Sequence, residues 1–211
     1  EKSFLGLETH GLLNVLFPET AKALNTNSSG ALRAMVLQAL RNTDTRIAEG
    51  KPVTPAFLFA ALLWPAYCRE LAILQKTGVD STVAQQRAAD RVTLHQAERI
   101  ALPRRFSLPM QEIWLLQSRF SQRVRKRVFR LLSHPRFRAA FDFLELRMSG
   151  APEVAEDVAF WREAQIQSPE MLASRLDSKK TLHGSEPGDL SAAPKKRRRR
   201  KPRPSPQEAT P

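Results

Sequence analysis

The sequence predicts an all-α fold, and three observations predict it. Apolar residues recur at spacings of three and four along most of the chain, the period of a helix with one buried face. Glycine is scarce, with 8 in 211 residues. The alternation of β-branched residues that marks a half-buried strand is almost absent.

The first helical segment covers about residues 12–24, and Pro18 breaks or restarts it because proline lacks the N–H that the helix ladder uses. NTNSSG, residues 25–30, is a loop. Residues 31–48 form a strong helix with Leu32, Val36, Leu40 and Ile47 turned inward. EGKP, residues 49–52, is a turn, and Thr54 before Pro55 is an N-cap and first-turn pair. The run AFLFAALLW that follows, residues 56–64, lies between two prolines. It is far shorter than the ~20 residues that cross a bilayer, so it reads as a buried core helix that Pro65 kinks or ends.

Helix resumes over residues 67–76, Gly78 closes it, and Asp80 or Ser81 caps the next, which runs to about Ala101. Leu102, Pro103 and the basic pair Arg104 and Arg105 make a loop. Pro109 sits near the start of another helix, which carries Ile113, Leu116 and Phe120 on one side and runs on into a basic segment. His134-Pro135 interrupts it, since a residue before proline is pushed out of the α region. Pro135 opens a helix to about Met148 with Phe137, Ala140, Phe141 and Leu144 inward. SGAP, residues 149–152, breaks the chain, and Pro152 starts a last helix through Phe160 and Trp161. After about Ser168 the pattern fades. The expected organisation is an all-helical body over residues 1–167 and a disordered arginine- and lysine-rich tail over 168–211, too poor in large apolar residues to offset the entropy of ordering.

The formal net charge is +13. The length suits one domain, or one and part of a second. The single cysteine, Cys68, excludes an internal disulfide and a cysteine-rich zinc site; it fits a reducing compartment, and a cytoplasmic location is expected. Nothing at the start resembles a secretory leader, and no membrane association is expected. His10, His95, His134 and His183 are widely separated, with no HxxxH or HxH pair. There is no GxSxG elbow and no glycine-rich phosphate loop, and Asp44, Asp80, Asp90 and Asp142 stand singly with no DxD. The expectation is a non-catalytic chain with no metal or cofactor of its own.

The binding signal is basic. Residues 99–138 hold eleven Lys or Arg against one acid, Glu112, and ten of the eleven are arginine, the residue that grips phosphate bidentately. Phe120, Val124, Val128 and Leu131 follow one helical row, and Arg119, Arg123, Arg127 and Arg130 follow another one residue earlier, about 100° round the helix. Such a row repels itself unless an anion faces it. Arg104 and Arg105 flank Phe106, a pairing that suits a splayed base, although a core anchor is the plainer reading of that ring. Lys195, Lys196, Arg197, Arg198, Arg199, Arg200 and Lys201 in the tail would add affinity through counterion release. By composition alone that run also suits a nuclear import signal or an arm for acidic proteins.

Several stretches resemble the carboxy-terminal part of the bacterial poly(A) polymerases: NTDTRI (42–47), PAFLFAALLW (55–64), LPRRF (102–106), EIWLLQSRF (112–120) and RKRVFRLLSHPRFRAAFDFLELR (125–147), with the arginine-rich tail. The resemblance implies a template-independent nucleotidyltransferase related to the tRNA CCA-adding enzymes. Such enzymes use ATP and Mg²⁺ to add adenylates to RNA 3′ ends, which promotes decay. It implies that the chemistry sits in a head bearing GS and DxD motifs. The GS here, Gly184-Ser185, has no DxD after it, so no catalytic residue carries over. ATP and Mg²⁺ are therefore expected of a head outside this chain, and the tail is expected to bind RNA. The residues expected at RNA are Arg104, Arg105, Arg119, Arg123, Lys126, Arg127, Arg130, Arg136, Arg138 and the run 195–201. The expected partners are RNA 3′ ends, with RNA-decay proteins as further candidates. The alternative is a helical adaptor whose basic face docks an acidic protein.

Overall fold

The computed structural model describes residues 1–182. These form eleven α-helices and one 3₁₀ turn, with no strand among the described residues: α1 (Lys2–Thr9), α2 (Leu12–Leu16), α3 (Pro18–Thr26), α4 (Ala31–Ala48), α5 (Pro55–Lys76), α6 (Ser81–Ala97), α7 (Arg104–Gln117), α8 (Arg125–Leu132), α9 (Phe137–Arg147), the 3₁₀ turn (Pro152–Val154), α10 (Ala155–Ala164) and α11 (Pro169–Leu182). The all-α fold is as the spacing predicts. Pro18 does restart the chain, as first residue of α3.

Two apolar clusters share two helices. The first surrounds α5, which packs against α3, α4, α6, α7 and α9. The second is built from the end of α7, Phe120, and α8 to α11. On α9, Phe137, Ala140, Phe141 and Leu144 point into the second cluster as predicted, but Phe143 and Leu146 enter the first. The buried side chain of Gln117 ties the shared beam: its amide NH₂ donates to the carbonyls of Ile113 and Ala140 at 3.0 and 3.1 Å, and its Oε1 accepts from Arg147.

Several boundaries depart from the sequence reading. A helix over Lys2–Thr9 was not anticipated; it buries Phe4, and Glu8 binds Arg33 of α4 at 2.6 Å. Val36 is buried as expected, but Ile47 is 61% exposed. Thr54 occupies the N-cap position of α5 without a side-chain capping bond, whereas Asp80 Oδ1 accepts from the amides of Thr82 and Val83 at the start of α6, at 2.9 and 3.2 Å. α6 ends at Ala97 rather than Ala101.

Pro65 does not end its helix. α5 runs for 22 residues, and other helices donate to the carbonyls either side of Ala61, the one that Pro65 leaves without its helical donor: Trp114 Nε1 to Ala60 at 3.0 Å and Thr20 Oγ1 to Leu62 at 3.0 Å. At 22 residues this helix, unlike the nine-residue apolar run within it, is long and apolar enough to cross a membrane. Here it is the central strut of the first cluster, with five helices packed on it.

The segment beyond residue 168, expected to belong to a disordered tail, is helical to Leu182 and buries Leu172, Ala173 and Leu176 against the second cluster. Only two leucines at a spacing of four carry that packing, too faint a period to read from the chain. The tail run 195–201 lies outside the described residues.

Candidate nucleic-acid interface

The predicted basic row depended on one helix running from α7 through residue 131. The structure breaks that helix. α7 stops at Gln117, residues 118–124 form turns and an extended stretch, and α8 begins at Arg125. The cause is local and tertiary together. Ser121 turns its hydroxyl onto the Ser118 carbonyl at 3.3 Å, the usual way serine competes with a helix, while the Ser118 hydroxyl donates to Gln85 Oε1 of α6 at 2.9 Å. The carbonyl of Phe120 accepts the indole N–H of Trp161 at 2.7 Å, the site a continuing helix would offer to Val124. Phe120, Val128 and Leu131 stay buried, but Val124, the expected fourth member, is 60% exposed at the N-cap of α8.

The four row arginines therefore separate. Arg123 is paired within the fold: its guanidinium sits 2.9 Å from Asp157 and lies over the Phe160 ring at 5.1 Å. Arg119 is exposed in the turn after α7. Arg127 and Arg130 remain on α8; Arg127 donates to Gln122 Oε1 at 2.9 Å. Arg104 and Arg105 lie in the first turn of α7, not in a loop, because α7 starts five residues before Pro109. Arg105 stacks on Phe106 at 4.9 Å, and that ring is half-buried rather than a full core anchor. Arg136 pairs with Glu112 at 3.0 Å and Arg138 with Asp142 at 2.9 Å.

Among the described residues, the predicted cations left with no side-chain partner are Arg104, Arg119, Lys126 and Arg130. Three of these flank or lie on α8. The first turn of that helix is Arg125-Lys126-Arg127 with no acid, so three cations crowd the positive end of its dipole. Cations there are unfavourable by about 0.3–1 kcal/mol each, and Arg125 alone is answered by a carboxylate, Asp177 at 2.8 Å. An anion approaching this turn would relieve the crowding.

Sequence reasoning missed Arg147. It is half-buried, stacks on Trp64 at 5.2 Å and binds Gln117, and burial lowers its pKa from the ordinary value. It braces the two clusters rather than facing a ligand. Cys68 beside it is pushed up to about 12 by burial, which leaves it a thiol. No group of three or more His, Cys, Asp or Glu that could hold a metal occurs among the described residues.

Fold and surface together define an all-α, arginine-rich domain with unpaired cations gathered around a short basic helix. Residues 77–204 match the family described as "Polymerase A arginine-rich C-terminus". The chain belongs to that family, the C-terminal region of the bacterial poly(A) polymerases. It is 35% identical over 171 residues to poly(A) polymerase I of Salmonella typhi, covering 80% of this chain and 37% of that protein. It is 36% identical over 173 residues to poly(A) polymerase I of Escherichia coli O6:H1, covering 78% and 37%. For poly(A) polymerase I of Haemophilus influenzae the figures are 30% over 184 residues, 86% and 41%. The chain thus spans about two fifths of the length of these relatives.

Proposed function

We propose that this chain is the RNA-holding part of a bacterial poly(A) polymerase, which adds AMP from ATP to RNA 3′ ends and so promotes RNA decay, and that it grips RNA without supplying the active site. The observation that carries the reading is the cluster of unpaired or dipole-opposed cations at Arg119, Lys126, Arg127 and Arg130, in a chain of this family. Arg104 and the run 195–201 extend the same charge. Arg123 is not part of it, and Arg136 and Arg138 reach RNA only by exchanging carboxylate partners. Contacts of this kind go to phosphates and carry no sequence information. ATP and Mg²⁺ act in the parent protein through residues outside this chain, in the cytoplasm, where decay proteins are the further partners.

The test is RNA affinity over a salt series. RNA binding weakens steeply, with a log–log slope that falls by roughly 0.7 for each phosphate contact removed by Lys126→Glu or Arg130→Glu. Binding that ignores salt, or that survives both substitutions together, would refute the reading. Tight binding of an acidic protein without RNA binding would favour the adaptor instead.

A further inference from the structure

α4 and α9 meet at one point and enclose space beyond it. At Gly150, just past α9, a Cβ would stand 2.2 Å from the carbonyl oxygen of Ala31, the first residue of α4. Alongside that contact lies a cleft of about 960 Å³ between the two helices and the start of α5. One wall is the α4 row Gln38, Asn42, Thr45 and Glu49; the other is the α9 row Arg138, Asp142, Glu145 and Ser149. Each row follows the helical spacing of three and four, with Glu49 and Ser149 just past the helix ends and Ala39, Ala139 and Leu146 beside the polar residues. Phe57, half-buried, supplies apolar surface between them. The NTDTRI stretch that resembles the poly(A) polymerases thus turns Asn42, Thr45 and Arg46 into this cleft, where they add nothing to either apolar cluster.

We propose that this cleft takes a base of single-stranded RNA that carries an exocyclic amine beside a ring nitrogen acceptor, adenine or cytosine, with the flanking phosphates at the guanidiniums of its rim. The inference rests on the RNA-holding reading above and gives it a base-reading site separate from α8. Arg138, 72% exposed, pairs with Asp142 at 2.9 Å, and Asp142 is 40% exposed. A phosphate that takes the Arg138 guanidinium frees the Asp142 carboxylate for a neutral base beside it. An acidic peptide would set carboxylates against Asp142, Glu145 and Glu49.

Groups on the two facing walls carry the chemistry of such a base edge. Asp142 offers an acceptor for the amine, and burial raises its pKa, so a donor from the base offsets lost solvation. Asn42 already accepts from Gln38 Nε2 at 2.8 Å through its Oδ1, which leaves its NH₂ to donate to the ring nitrogen. Phe57 provides the apolar surface for the ring face.

The experiment measures binding of end-labelled ten-nucleotide oligo(A) and oligo(U) to the whole chain by fluorescence anisotropy. Wild type binds oligo(A) about tenfold more tightly, because uracil has no exocyclic amine. Asn42→Ala and Thr45→Trp, both at exposed positions of α4, reduce oligo(A) to the oligo(U) level while the salt slope stays unchanged, since no phosphate contact is lost. Equal affinity for the two oligomers in wild type, or undiminished oligo(A) preference in both variants, overturns the cleft assignment and leaves RNA holding intact. Failure of wild type to bind either oligomer overturns both.

Discussion

Gly150→Ala tests the α4–α9 junction most directly. Two opposed effects set the sign. Gly150 does not have a positive φ, so alanine fits its backbone and, by reducing the freedom of the unfolded chain, would stabilise by about 0.4–1 kcal/mol. Against this, the added Cβ would lie 2.2 Å from Ala31 O, 2.8 Å from its carbonyl carbon and 3.2 Å from its Cα. All three are backbone atoms of the first turn of α4, so no side chain can swing aside and the two helices must separate by about 1 Å. Overpacking of this kind costs about 1–3 kcal/mol, and contact with backbone puts it at the upper end. The net expectation is a loss of about 2 kcal/mol, or roughly 4–8 °C in Tm for a chain of this size. Gly6→Ala in α1 is the internal control: nothing lies within 4 Å of its Cβ, and it should gain about 0.5–1 kcal/mol of helix propensity. Urea unfolding followed by tryptophan fluorescence and far-UV circular dichroism measures both. If Gly150→Ala proves as stable as wild type, the close approach of α4 and α9 is wrong, and the cleft beside it loses its closed end.

Further outcomes follow from the same geometry. Phe141→Ala should cost about 3–5 kcal/mol by calorimetry, because the ring is buried against Phe120 and Phe137; a cost below 1 kcal/mol would take α9 out of the second cluster. Trp161→Phe keeps most of the ring but leaves the Phe120 carbonyl without its indole donor, and should cost about 1–3 kcal/mol in urea unfolding. Arg123→Gln should lower stability yet leave the salt slope of RNA binding unchanged, the reverse of Lys126→Glu; a changed slope would put Arg123 at the phosphates. Cys68, with its thiol pushed up to about 12, should resist iodoacetamide at pH 8 in the folded protein, where only ~10⁻⁴ of it is thiolate, and react once urea unfolds the chain; rapid labelling of the native form would contradict its burial.

Periodicity determined much of this protein. The all-α class, the extent of α4, the restart at Pro18, the break at His134-Pro135 and the inward face Phe137, Ala140, Phe141 and Leu144 are properties of spacing and of proline chemistry, which act over one or two turns. What spacing could not determine is where a helix receives help or competition from distant residues. α5 passes Pro65 with Trp114 and Thr20 bonded to its flanking carbonyls, and the helix after α7 is lost where Trp161 takes the Phe120 carbonyl. The partner in each case lies about 40–55 residues away in the chain, outside any helical window. The same distance hid the fate of the arginines. Spacing placed Arg119, Arg123, Arg127 and Arg130 in one line, but only the folded packing of α10 brings Asp157 to Arg123 and leaves Lys126 and Arg130 facing outward. A guanidinium's neighbours are set by which helices meet, and helices meet through buried surfaces that the chain assembles from residues far apart in sequence.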